Sequence, residues 1–254
     1  MRRFKFPGLA VTAALSLFTT GVSAATNAAS AQAFSVVPTT QDFAPTNRAA
    51  EDAFVVENNT DQPMLLNLKV MTRGVGTDGQ EINADTSDFS ISPKQMTIGP
   101  NQKQAVRLQW QGAGNPDHEL AYRVIVDQEP IKSTPSSESH AIRLALHFVA
   151  PIYVVPDKAL PDVNVVSARA VSDAQNERFL QVNLANRGTA HAVIGEPTLT
   201  VSAGGLTRTI DASQLSGFGG ENVLAGTNRT FLVSWPEGLP FEQPKVDLKF
   251  TPVR

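Results

Sequence analysis

No window of about twelve residues in this chain keeps a 3.6-residue hydrophobic period between turn signals, which removes helical architectures at the outset. Apolar residues recur instead at every second position, in short runs that stop at Gly, Pro, Asn or Asp. The first series is Phe34-Ser35-Val36-Val37-Pro38, Ala53 to Glu57, Met64 to Met71, Phe89-Ser90-Ile91-Ser92-Pro93, Gln104 to Trp110, Leu120 to Val126 and a long run, Ala141 to Val155. A second series follows Pro156: Val163 to Ala168, Phe179 to Leu184, Thr198 to Val201, Leu206 to Ile210, Thr230 to Ser234 and Val246 to Phe250. Seven short strands, a junction at Val154 to Pro161 and six more strands predict an all-β chain of two sandwiches in tandem, residues 32–155 and 156–254.

The amino terminus follows a different order. Met1 to Phe6 is basic, Gly8 to Phe18 is apolar apart from Thr and Ser, and small residues follow at Val22-Ser23-Ala24 and Ala29-Ser30-Ala31. That is the order of a secretory signal peptide over residues 1–24, cleaved after Ala24 or after Ala31. Its apolar run is short for a bilayer span, and no later segment approaches ~18 apolar residues, so no integral membrane insertion is expected. The first 24 residues hold three of the 21 basic side chains and no acid; the remainder keeps 18 bases against 24 acids, a formal charge of −6. A chain that acidic offers no electrostatic footprint for nucleic acid or for an anionic membrane. Zero cysteine excludes disulfides, thiolate metal sites and Cys nucleophiles.

Motifs of catalysis do not assemble locally. Gly74, Gly76 and Gly79 have dinucleotide-loop spacing, but that loop needs a following helix, and Gln80 to Ser90 is polar without a helical period, so a hairpin turn is expected. His118, His140, His147 and His191 lack paired ligand spacing, so neither a metal nor a cofactor is expected. No Gly-x-Ser-x-Gly elbow is present. The Asn58-Asn59-Thr60 and Asn228-Arg229-Thr230 triplets match a glycosylation acceptor and equally fit strand-ending turns. Nothing here predicts an enzyme.

One segment carries a hypothesis about binding. Ile142, Leu144, Leu146 and Phe148 alternate strictly with Arg143, Ala145 and His147, after a loop without apolar residues from Lys132 to Ser139. Period two places the four large side chains on one face over roughly 20 Å. Two readings stay open: a strand that packs its own core, or an edge strand offered to another protein, whose pockets take the alternate side chains. Four such side chains represent about 6–12 kcal/mol of gross burial before association costs.

The ordered set of motifs resembles the periplasmic pilus (fimbrial) chaperones, the PapD-like family. Phe34-Ser35-Val36-Val37-Pro38 is similar to that family's first strand, and Phe54-Val55-Val56-Glu57-Asn58 to its strand ending in Asn. Phe89-Ser90-Ile91-Ser92-Pro93, Ile98-Gly99-Pro100 and Val106-Arg107-Leu108 resemble its Ser-Pro, leucine-proline and Val-Arg-Leu signature, and Asp117-His118-Glu119 with Tyr122-Arg123 the next element. Ile142 to Pro156 falls where the family's donor strand and hinge lie, while Asn186 to His191 and Val223 to Thr227 resemble its weaker marks. The resemblance implies two immunoglobulin-like sandwiches in a boomerang arrangement, acting in the periplasm without catalysis or cofactor. It implies pilus subunits as clients, an outer-membrane usher as the receiving partner, and Ile142, Leu144, Leu146 and Phe148 as the donor side chains.

Two departures follow from aligning the family's pattern. It anchors the client's carboxyl terminus with an Arg near the first strand and a Lys on the donor strand; those positions fall at Thr40 and near Pro151, neither of them cationic. Since a carboxylate in a cleft calls for a paired cation, Arg107 and Arg123, on strands expected to be near neighbours, are the substitutes. The departure points to a divergent archaic or spore-coat branch, and the short loop from Ile131 to His140 resembles the short-loop subgroup. The competing class is a secreted structural or adhesive two-sandwich protein such as a fimbrial subunit; Ala25 to Ala33 lacks the alternating donor segment a subunit would display there. The sequence leaves open whether the free protein caps its donor strand by dimerising.

Overall fold

A computed structural model describes residues 33–46, 53–129 and 145–253. The expected signal peptide, the loop at 131–140, and Ile142 and Leu144 lie outside the described residues. Among the described residues, ten strands precede residue 155 and seven follow it. The first ten are β1 (Phe34–Val37), β2 (Gln41–Phe43), β3 (Ala53–Asn58), β4 (Met64–Val75), β5 (Glu81–Asp85), β6 (Phe89–Ser92), β7 (Gln95–Ile98), β8 (Lys103–Trp110), β9 (Leu120–Gln128) and β10 (His147–Val154). They form a four-stranded sheet in the order β1-β3-β8-β6 and a six-stranded one in the order β2-β10-β9-β4-β5, with β7 also on β4.

The two sheets close on one core because each strand alternates. In β8, Val106, Leu108 and Trp110 are buried while Arg107 and Gln109 face water. Phe89 sits among Trp110, Tyr122 and Phe43 with ring centroids 5.0, 5.1 and 5.2 Å away, all edge-on, the arrangement that aromatic quadrupoles favour.

The remaining strands are β11 (Val163–Ser172), β12 (Arg178–Asn186), β13 (Ala192–Ala203), β14 (Leu206–Ile210), β15 (Asn222–Val223), β16 (Asn228–Ser234) and β17 (Lys245–Val253), with one 3₁₀ turn at Ala212–Gln214. A three-stranded sheet, β11-β12-β16, faces a sheet of β14-β13-β15 with β17 on β13, around a second core that includes Leu180, Leu184, Ile194 and Phe218.

Several expected strands grow at their ends, and four strands were not anticipated. Strand β5 is exposed at all five residues, so it carries no hydrophobic period by which to be found. Strand β2 has only three residues, and β7 and β15 only four and two. The glycines at 74–79 close the hairpin between β4 and β5: the Gly76 amide donates to the Gln80 carbonyl at 2.8 Å, and Gly79 adopts φ +90°.

Two buried asparagines explain motifs that looked like turn residues. The Asn58 amide donates to the carbonyls of Gln62, Ile98 and Gly99 at 2.8–3.1 Å, and its oxygen accepts from the Thr60 amide and hydroxyl. Asn186 plays the same part after β12: its amide donates to the Ala190 and Val223 carbonyls, and its oxygen accepts from the Asp162 and Gly188 amides. That clasp holds the segment after β10 against the second sandwich. A Cβ at Gly188 would lie 2.3 Å from the Leu160 carbonyl oxygen, so only glycine fits.

Candidate functional site

Strand β10 presents two different ends. Its register with β9 runs from His147 opposite Asp127 to Val154 opposite Leu120, so one backbone flank is paired throughout. On the other flank β2 pairs only with Ile152, Tyr153 and Val154, in parallel. From His147 to Pro151 that flank has no strand partner among the described residues. Residues 146, 148, 150, 152 and 154 share the face toward the first core. Val154, Ile152 and Ala150 are fully buried; Phe148 and Leu146 are only partly so, packed against the core's margin, with Phe148 edge-on to Phe34 at 6.3 Å. The apolar row is thus gripped by its own sandwich at the carboxyl end and loosens toward the end that leads to Leu144 and Ile142.

The opposite face of the same sheet builds a cleft of about 620 Å³ where the two sandwiches meet. Cross-strand pairing sets its composition. Pro151 lies opposite Arg123, and Arg123 opposite Met71, while Arg73 is two residues further along the same face of β4. Thr40, Gln41 and Pro151 line the cleft with Arg73, Arg123 and Tyr153, and β15 contributes Asn222. Thr40 and Pro151, at or near the positions where the resemblance expects a cation, both line this cleft, and its arginines stand on β4 and β9.

Of the two arginines singled out from sequence, the structure brings only Arg123 to the cleft. Arg107 stands on β8 in the four-stranded sheet, exposed, while Arg123 is on β9 in the six-stranded one. The expectation that their strands are near neighbours is corrected by this topology. Arg123 is joined instead by Arg73, which lies on β4 just before Gly74 and Gly76 and beyond the expected strand Met64 to Met71. Extending the period-two pattern of Met64 to Met71 by one more step would have placed Arg73 on the face of Met71.

Glu81 of β5 ties the two guanidinium groups together. Its Oε1 accepts from Arg73 Nη2 at 3.0 Å and Nε at 3.1 Å, and from Arg123 Nη2 at 2.5 Å. Burial raises the Glu81 carboxyl, but the hydrogen bonds and charges of Arg123 and Arg73 outweigh it and hold the group below its ordinary range. Arg73 also donates Nη1 to the Tyr153 hydroxyl at 2.8 Å, and Asn222 of the second sandwich donates its amide there at 2.9 Å. Burial pushes the Tyr153 phenol up, against the opposing pull of Arg73. Tyr153 stacks on His191 at 4.0 Å, and His191 Nδ1 lies 2.6 Å from Glu119 Oε1, so hydrogen bonds and a ring stack together join the sandwiches beside the cleft. The arrangement suits binding of an anionic group. The other histidine pairs, His118 with Asp117 and His147 with Asp127, are exposed, and no metal-holding cluster occurs among the described residues.

Comparison with known proteins follows the same lines. Residues 34–160 match the family model described as "Pili and flagellar-assembly chaperone, PapD N-terminal domain". Among solved structures, the chain is similar to one from the CsuC–CsuE chaperone–tip adhesion subunit pre-assembly complex of the archaic chaperone-usher Csu pili of Acinetobacter baumannii: 16% identity, TM-score 0.56, covering 85% of this chain and 97% of that one. It is also similar to a structure of the Salmonella enterica SafA pilin with the SafB chaperone, at 14% identity and TM-score 0.51, covering 86% and 96%. The E. coli chaperone DraB matches at 16% identity and TM-score 0.50, over 86% and 91%. No curated protein matches the sequence. These likenesses establish a two-domain, all-β immunoglobulin-like fold. With half of its residues matched by the family model, the chain belongs to the PapD-like pili and flagellar-assembly chaperones.

Proposed function

We propose that this protein is a periplasmic chaperone that holds pilus subunits by lending them a strand and passes them to an outer-membrane usher. In this reading residues 1–24 direct export, 32–155 form the chaperone domain with its donor strand, and 156–254 form the second sandwich. Ile142, Leu144, Leu146 and Phe148 enter the groove of a subunit that lacks its last strand, and the free backbone flank of β10 supplies the hydrogen bonds. The observation that carries this is the flank of β10 from His147 to Pro151, which has no strand partner among the described residues, beside Leu146 and Phe148, which are only partly buried at the margin of the first core. Binding, not catalysis, is the activity.

The cleft arginines supply the second contact. Arg123 and Arg73 together receive the subunit's terminal carboxylate, taking over from the cations that Thr40 and Pro151 lack; the exposed Arg107 takes no part. A pair of guanidinium groups donating to one carboxylate is both stronger and more directional than a single ammonium.

The test is co-production with a pilus subunit. Leu144→Asp and Leu146→Asp together are expected to leave a folded chaperone, as read by circular dichroism, that no longer co-purifies with the subunit. Capture at the normal yield by the double variant would refute strand lending. Leu144→Asp alone provides the control, in case Leu146, which touches the first core, affects folding.

A further inference from the structure

Resting on the reading that Arg73 and Arg123 receive a subunit's terminal carboxylate, we infer that Glu81 is a resident carboxylate that occupies this site until the incoming one displaces it. The geometry is that of a bound carboxylate already in place. Arg73 turns its Nε and Nη2 edge to Glu81, reaching Oε1 with both and Oε2 with Nε at 3.3 Å, and Arg123 shares the same Oε1. The remaining terminal nitrogen of Arg73, Nη1, is engaged by Tyr153. A second carboxylate therefore cannot take the side-on edge of Arg73 while Glu81 remains there.

Glu81 is also built to leave. It opens β5, which ends its sheet, so its departure disturbs no strand beyond. Its side chain is 36% exposed, and a rotation delivers the carboxylate to water. The arginines stay: their side chains are only 9% and 16% exposed, and Tyr153, fixed by Asn222 and by its stack on His191, keeps hold of Arg73. Exchange of one carboxylate for another keeps both guanidinium groups paired throughout, so the step avoids the cost of leaving charges unpaired in a partly buried cleft. A neutral chain end has no means of making that exchange. Glu81 thus sets a threshold that only an anionic terminus passes, and lowers the apparent affinity by the fraction of time it holds the site.

The test uses a short dye-labelled peptide of alternating valine and threonine, with either a free or an amidated carboxyl terminus. Its binding to the purified protein is followed by fluorescence anisotropy. Glu81→Gln, which keeps the side-chain shape, is expected to tighten the free-acid peptide about tenfold, the gain for a site previously held about nine-tenths of the time, and to leave the amidated twin unchanged. Glu81→Ala serves as the second variant, with the same direction expected. Should Glu81→Gln weaken the free acid or leave it unchanged while the wild type still prefers acid over amide, Glu81 positions the arginines and the inference is overturned alone. Should the wild type bind acid and amide equally, with Arg123→Gln without effect, the carboxylate reading itself falls and the inference with it.

Discussion

One contact between the sandwiches is a buried carboxylate–imidazole hydrogen bond, and Glu119→Ala measures it. Glu119 Oε1 accepts from His191 Nδ1 at 2.6 Å and from the His191 backbone amide at 3.2 Å; the two side chains are 1% and 5% exposed. The alanine variant leaves both His191 donors without that acceptor, in a place where His191 is pressed against Tyr153. Each buried donor so orphaned costs about 1–3 kcal/mol, and two are orphaned here. Against this, Glu119 Oε2 is buried and makes no hydrogen bond, so the wild-type residue already bears a desolvation cost that the variant removes. The net expectation is a loss of about 3 kcal/mol.

Glu119→Gln separates acceptor from charge. Its amide oxygen can still accept both His191 donors, so the expected loss is about 1 kcal/mol or less. The assay is urea unfolding followed by tryptophan fluorescence, with Trp110 in the first core and Trp235 against the second as reporters. A cycle with His191→Ala should return a coupling energy of about 1–3 kcal/mol, as expected for side chains in direct contact. An alanine variant within about 0.5 kcal/mol of the wild type, or one no worse than glutamine, would refute the argument.

Two further expectations concern the hairpin that reaches the cleft. At Gly79, φ is +90° and a Cβ would stand 2.7 Å from Arg229 Nη2, whose guanidinium is itself held by Glu221 and the Asn222 carbonyl. Gly79→Val should therefore cost about 1–3 kcal/mol, seen as a lowered thermal midpoint, and an unchanged midpoint would contradict the close approach. Glu81 should titrate below its ordinary 4.5, because the two arginines favour its charged form. Being depressed in the folded state, it contributes stability that is complete above pH 4.5 and fades as pH falls through the lowered midpoint. Carboxyl carbon shifts by NMR check this: Arg123→Gln should move the midpoint upward, and no movement would exclude the pairing.

Period two was enough to read the class of fold, because in a sandwich one face of each strand is dry and the other wet, and that contrast is written in residues such as Val106, Leu108 and Trp110. It was also enough to single out the row from Ile142 to Phe148, since alternation over that length is itself the property a lent strand needs. It could not distinguish a row that seals its own core from one that outruns it, because both demand the same side chains. What the tertiary structure adds is pairing: β2 meets the far end of β10, while the same flank from His147 to Pro151 has no strand partner among the described residues. The cleft was beyond reach for a related reason. A charged residue on a wet face obeys no period, so Arg73 and Glu81 look like any solvated residues, and Arg123 is set apart only as a candidate substitute cation, until β4, β5 and β9 lie side by side. Local pattern reports whether a position meets water; which charges meet each other is decided by cross-strand register and by the approach of the second sandwich, contacts made between residues far apart along the chain.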